Sequence, residues 1–205
     1  MMTNKKLRED ICRILVKTGA LRFGAFTLAS GKMSPYYIDL RILPSFPETF
    51  DTVTSVYETM ARNDVGADSF DRIVGLPTAG IPYGAVLAFR MRKPFLYVRR
   101  EVKTHGRERR VEGLLSSGEK VLVVDDLITT GKSTLEAIDA VRCEGGVVDH
   151  VIVLIDREEG GPNALKSAGV NLHAFLKITD IAKTVLELGS ITKEQFDDIM
   201  KQKTA

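Results

Sequence analysis

From Arg72 onward the sequence alternates between two textures, and this alternation constrains the fold more than any other feature. Short apolar runs rich in β-branched residues, "RIVGL", "FLYVR", "VLVVD", "HVIVLID" and "NLHAFL", are separated by segments of helical spacing around Tyr83–Arg92, Thr134–Cys143 and Asn163–Ala168. Continuous apolar runs of this length belong to strands buried on both faces, and the intervening helices supply the cover. The predicted fold class is therefore α/β, a doubly wound, mostly parallel sheet.

The flanks are less regular. Lys5–Thr18 places Leu7, Ile11, Ile14 and Leu15 on one helical face, "YYIDL" reads as a strand, and Pro47–Asn63 as a helix. The first 45 or so residues are expected to form a small N-terminal hood over the sheet's edge. Asp180–Leu188 and Thr192–Lys201 close the chain as amphipathic segments without readable chemistry. At 205 residues, the whole chain, 1–205, reads as a single domain. Its composition, 44% hydrophobic and 27% charged with a net charge of +2, does not suggest a nucleic-acid partner. No apolar run approaches a membrane span, and the charged helical start does not read as a signal peptide. Cys12 and Cys143 lack metal-type spacing and fit a reducing cytoplasm, and His150 and His173 lie in strand-like runs as structural residues.

The chemistry concentrates in "VLVVDDLITTGKS", Val121–Ser133. The strand "VLVV" is expected to end at Asp125 and Asp126, and the turn after it to enter a helix near Thr134. Such a turn presents backbone N–H groups, the hydroxyls of Thr129, Thr130 and Ser133, and a helix N-terminus, which together suit a phosphate. A nucleoside triphosphate loop needs glycine at position 126, where this chain has an aspartate that would repel the β-phosphate. Carboxylates beside a monophosphate cradle instead match a sugar phosphate with vicinal hydroxyls, a ribose 5-phosphate. Mere capping of the turn by the aspartates is the plainer alternative.

This segment resembles the phosphoribosyl pyrophosphate (PRPP) signature of the type I phosphoribosyltransferases, a family with a Rossmann-like sheet and a small hood. The resemblance implies that Asp125 and Asp126 hold the ribose hydroxyls. It likewise implies that Leu127, Ile128 and the run Thr129, Thr130, Gly131, Lys132 and Ser133 surround the 5′-phosphate. A second segment, "RREVKTHGRERR" (Arg99–Arg110), holds six Arg or Lys, one His and two Glu, and reads either as a solvated loop or as cations for a leaving pyrophosphate. Its Arg99, Arg100, Lys103 and His105 resemble the mobile loop (here 99–112) of orotate phosphoribosyltransferases. In that subfamily the loop closes on the neighbouring subunit's PRPP, which implies a homodimer with shared sites.

"FTLASGKMSPYYIDLR" (Phe26–Arg41) is similar to the hood of the same subfamily, and "IDREEGG" places Arg157 beside the PRPP loop. The resemblance implies orotate contacts from Thr129, Arg157, Lys32, Tyr36 and Tyr37. Tyr36 and Tyr37 read equally well as core aromatics, and Arg157 could instead pair with Asp156 or Glu158. Ala29 and Ala79 stand where some members carry lysines, so neither lysine's role is transferred. The implied reaction joins orotate to PRPP, giving orotidine 5′-monophosphate and pyrophosphate in UMP biosynthesis. Mg2+ is expected to ride on PRPP, with no all-protein metal site. Lys103 and His105 could supply a proton or only charge. A phosphoribosyltransferase for another base, or a PRPP-sensing regulator without catalysis, are the competing readings.

Overall fold

The structure is a computed structural model that describes residues 4–27, 31, 33–100 and 109–204. The chain divides into two compact units, Met1–Val53 with Leu176–Ala205, and Thr54–Phe175.

The first unit begins with helix α1 (Asn4–Lys17), whose apolar stripe buries Ile11, Cys12 and Leu15. At the helix end the Thr18 N–H and hydroxyl both donate to the Ile14 carbonyl, at 3.0 and 2.8 Å. Strands β1 (Leu21–Thr27) and β2 (Met33–Ile38) form an antiparallel hairpin in which Leu21 lies opposite Ile38 and Thr27 opposite Met33. The two-residue period of β2 sends Ser34, Tyr36 and Ile38 inward. A 3-10 turn (Leu40–Ser45) capped by Asp39 leads to α2 (Pro47–Met60), within which the first unit ends.

The second unit continues from α2 through β3 (Arg72–Gly75), α3 (Gly80–Met91), β4 (Phe95–Val98), β5 (Val111–Glu112), β6 (Lys120–Ile128), α4 (Lys132–Cys143), β7 (Val147–Asp156), α5 (Gly161–Ser167) and β8 (Asn171–Lys177). The strands form one sheet of order β5-β4-β3-β6-β7-β8. β3 pairs in parallel with β4 and β6, and β6 with β7, whereas β5 runs antiparallel to β4. This is the doubly wound, mostly parallel sheet that the alternating sequence predicts. Val74, Leu96, Val121, Val123, Val151 and Val153 from β3, β4, β6 and β7 meet Ile138 and Val141 of α4 in one core.

The chain returns to the first unit with α6 (Ile178–Glu187) and α7 (Lys193–Thr204). Helix α6 packs on α1, where Arg8 and Asp180 approach to 3.6 Å. Helix α7 packs on β2, and the Ser34 hydroxyl donates to Gln202 at 3.2 Å. The two closing helices, assigned no chemistry from sequence, thus share a unit with the N-terminal segment.

Candidate active site

The strand order places a topological switch between β3 and β6: the chain leaves β3 toward β4 on one side, and β6 continues toward β7 on the other. Crevices for ligands open at the carboxyl ends of strands at such a point. Asp125 extends the inward row Val121–Val123 by one more two-residue step, so its carboxylate rises where the apolar core stops.

One sequence expectation needs correction. β6 does not stop at the acidic pair but runs to Ile128, because β7 keeps pairing with it through Leu127 opposite Ile155 and Ile128 opposite Asp156. Asp125 and Asp126 therefore lie inside the strand, and α4 starts at Lys132 rather than near Thr134. The turn between them is made by Gly131, at φ 83°, a left-handed conformation that glycine adopts without steric cost.

A cavity of about 370 Å³ lies over this end of the unit, lined in part by Pro77, Arg100, Arg110, Asp125, Ser133 and Glu136. Of the residues expected from sequence, it brings together Arg100, Asp125 and Ser133. Arg110 and Glu136 are additions. Ser133, Glu136 and Ala137 recur at helical spacing on one face of α4, a signal present in the sequence but not used there.

Each acidic side chain is oriented by the next peptide: the Asp126 N–H donates to Asp125 Oδ1 at 2.9 Å, and the Leu127 N–H to Asp126 Oδ1 at 2.8 Å. Burial, and then the charge of Asp126, push the Asp125 carboxyl above its ordinary range, while Arg100 pulls the other way. Beneath the pair sits Tyr57 of α2, fully buried and stacked on Tyr83 at 5.2 Å. Its hydroxyl donates to the Asp125 carbonyl oxygen at 2.9 Å and accepts from the Leu154 N–H at 3.1 Å. Burial raises the Tyr57 phenol's pKa well above its usual value, so it stays protonated and remains a donor. An apolar-spaced tyrosine in a helix reads as core, and the sequence carries no sign that its hydroxyl bridges β6 and β7.

Two glycines bring loops onto β6 at backbone contact. A Cβ at Gly80 would lie 2.5 Å from the Val124 carbonyl oxygen, and one at Gly161 would lie 2.7 Å from that of Thr129. The Gly161 N–H donates to Thr129 O at 2.8 Å, and the Arg157 N–H to Ile128 O at 3.0 Å, which sets the 156–161 loop beside the end of β6.

The remaining expected residues are placed as follows. Thr129 is half-buried, Thr130 and Lys132 are exposed, and none of the three is among the cavity-lining residues. Arg157 pairs with Glu159 at 2.8 Å. Arg99 pairs with Glu112 at 3.3 Å. Strand alternation puts Tyr36 and Tyr37 on opposite faces of β2. Tyr36 is 3% exposed in the first unit's interior, whereas Tyr37 lies under the Arg22 guanidinium, 5.3 Å from its ring. Lys32, Lys103, His105 and Ala29 lie outside the described residues.

Residues 50–171 match the family model of the phosphoribosyl transferase domain. The chain is 40% identical to an orotate phosphoribosyltransferase of Sulfolobus acidocaldarius over 91% of its own length and 92% of that protein's. It is 45% identical to one from Pyrobaculum aerophilum, over 82% of this chain and 85% of the relative. The crystal structure of orotate phosphoribosyltransferase from Aeropyrum pernix superposes with a TM-score of 0.78 at 35% identity, covering 89% of this chain and 99% of that one. With the acidic pair, the glycine turn and the crevice all at the switch point of its sheet, the chain belongs to the orotate phosphoribosyltransferase family.

Proposed function

We propose that this protein transfers the ribose 5-phosphate of PRPP to orotate, yielding orotidine 5′-monophosphate and pyrophosphate. The observation that carries the reading is the juxtaposition of Asp125, Ser133 and Arg100 around one cavity at the sheet's switch point. In the reaction the C1′–O bond of PRPP breaks and its electron pair leaves with pyrophosphate. C1′ then accepts a pair from N1 of orotate, whose proton departs. Asp125 and Asp126 accept hydrogen bonds from the ribose hydroxyls, with one oxygen of each already tied to a following N–H. The turn ending in Gly131 and the start of α4 receive the 5′-phosphate, where backbone N–H groups and the helix dipole favour an anion. Arg157, at the adjacent loop, offers a planar fork for the orotate carboxylate in exchange for its present partner Glu159.

Mg2+ fits this chemistry as a companion of PRPP: the cavity's donors are hard oxygens of Asp125, Glu136 and Ser133, and when bound it neutralises charge on the leaving pyrophosphate. A homodimer is supported by the exposed apolar side chains Phe89, Tyr97 and Leu114, at 72%, 40% and 82% exposure. Lys103 and His105 then reach the pyrophosphate from the partner subunit, as the family resemblance implies. Two cysteines without a disulfide suit a cytoplasmic enzyme.

The test is direct. Purified protein with PRPP and Mg2+ should remove orotate, read as loss of its ultraviolet absorbance. Turnover with a purine base and none with orotate would overturn the assignment. Mixing an Asp125→Asn chain with a Lys103→Ala chain should partly restore activity if the sites are shared.

A further inference from the structure

Arg110 stands apart from the protein's other partly buried arginines. Arg72, Arg90, Arg99 and Arg157 each pair with a carboxylate. Arg110 has no carboxylate partner among the described residues. Its Nη1 reaches the Glu136 carbonyl at 3.5 Å and its Nη2 the Arg99 carbonyl at 3.4 Å, both long contacts. Its Nε is buried with no hydrogen-bond partner among the described residues. A buried guanidinium nitrogen left without a partner is costly, and the cost is removed if a ligand brings an acceptor.

The backbone around Arg110 is held in place. The Arg99 N–H donates to the Arg110 carbonyl at 2.8 Å. The Glu144 carboxylate accepts from the N–H groups of Arg110 and Val111 at 3.1 and 3.0 Å. The guanidinium is thus carried on a fixed stem beside the cavity that Asp125 and Ser133 also line, together with Arg100 and Pro77. Asp125 and Glu136 give the cavity hydroxyl- and cation-binding oxygens, and the two guanidinium groups give it an anion-binding side.

We infer that Arg110 is a pyrophosphate-binding residue, acting in the same chain as Asp125 and donating to the diphosphate of PRPP and of the product. The inference deepens the proposed function and rests on it for the identity of the substrate.

The experiment combines direct binding of inorganic pyrophosphate with Mg2+, measured by calorimetry, and steady-state kinetics. Arg110→Gln is expected to weaken pyrophosphate binding by roughly tenfold to a hundredfold, the range for a lost charge-assisted hydrogen-bonding pair. The KM for PRPP should rise comparably and the KM for orotate stay within about twofold, since no orotate contact is removed. Arg110→Lys, keeping charge but not the fork, should fall between the two. Wild-type pyrophosphate affinity in both variants overturns the inference, as does a parallel rise in both KM values, which marks a purely structural strap. If Arg110→Gln does not fold, Arg110→Lys decides: weakened binding with a native circular dichroism spectrum supports the inference, and unchanged binding overturns it. Failure of the orotate reading shows separately, as wild-type protein that binds pyrophosphate through Arg110 without consuming orotate.

Discussion

Replacing Tyr57 with Phe removes one oxygen atom from the base of the site and nothing else. Phe fills almost the same volume, so no cavity contributes to the cost. What is lost is the hydroxyl that joins the Asp125 carbonyl to the Leu154 N–H across β6 and β7. Tyr57 is fully buried, so water does not readily take its place. The Leu154 N–H is left without an acceptor and the Asp125 carbonyl without this donor, at about 1–3 kcal/mol for an orphaned buried group. The carbonyl, with a second lone pair, falls at the lower end, so the total is about 2–4 kcal/mol. At roughly 2–4 °C per kcal/mol for a chain of this size, Tm should drop by roughly 4–16 °C. Urea unfolding followed by circular dichroism should show a lower midpoint at an unchanged slope. The KM for PRPP should also rise, because the same carbonyl belongs to Asp125, the residue proposed to hold the ribose hydroxyls. A loss below about 0.5 kcal/mol with unaltered kinetics would refute the bridge as described.

Two other expectations are independent of the proposed reaction. Burial pushes the Cys12 thiol up to about 11, whereas Cys143 is exposed, so a thiol reagent should titrate one group in native protein and two in denaturant. A second reactive thiol under native conditions would contradict this burial. His150 Nδ1 and His173 Nε2 lie 3.0 Å apart, a contact that requires a lone pair on one nitrogen. Burial, and then His150, lower the His173 pKa from its ordinary 6.5, with Asp64 opposing. The folded state therefore favours the neutral ring: its contribution is complete above the unfolded value and is lost as pH falls below it. Tm should decline between pH 7 and pH 5, and His173→Phe should flatten that decline; superimposable curves for the two proteins would dismiss the pair as the cause.

The sheet was legible because apolar runs such as "VLVV" and "HVIVLI" need cover on both faces, and the helices between them carry the matching stripe. The acidic pair was legible because no apolar explanation exists for Asp125 and Asp126 beside three hydroxyls. What escaped detection depends on distant partners. The extension of β6 to Ile128 is set by pairing with β7, not by local propensity. β5 has only two residues, too few to show a period. The role of Tyr57 depends on two backbone groups far along the chain, and the place of α6 and α7 on a unit begun more than a hundred residues earlier. Tyr36 and Tyr37 were treated together although a strand must part them.

The close approach at Gly80 and Gly161 bears on how such a pocket can diversify. Where main chain touches main chain, selection has no side chain to vary, so the backbone proposed to hold the sugar phosphate is frozen in shape. Any change in the base accepted must be written into neighbouring positions such as Thr78, Ala79, Arg157 and Glu158, which flank those contacts and whose side chains can still change. On the proposed placement, one end of the ligand meets geometry that resists drift, and the other is left open to it.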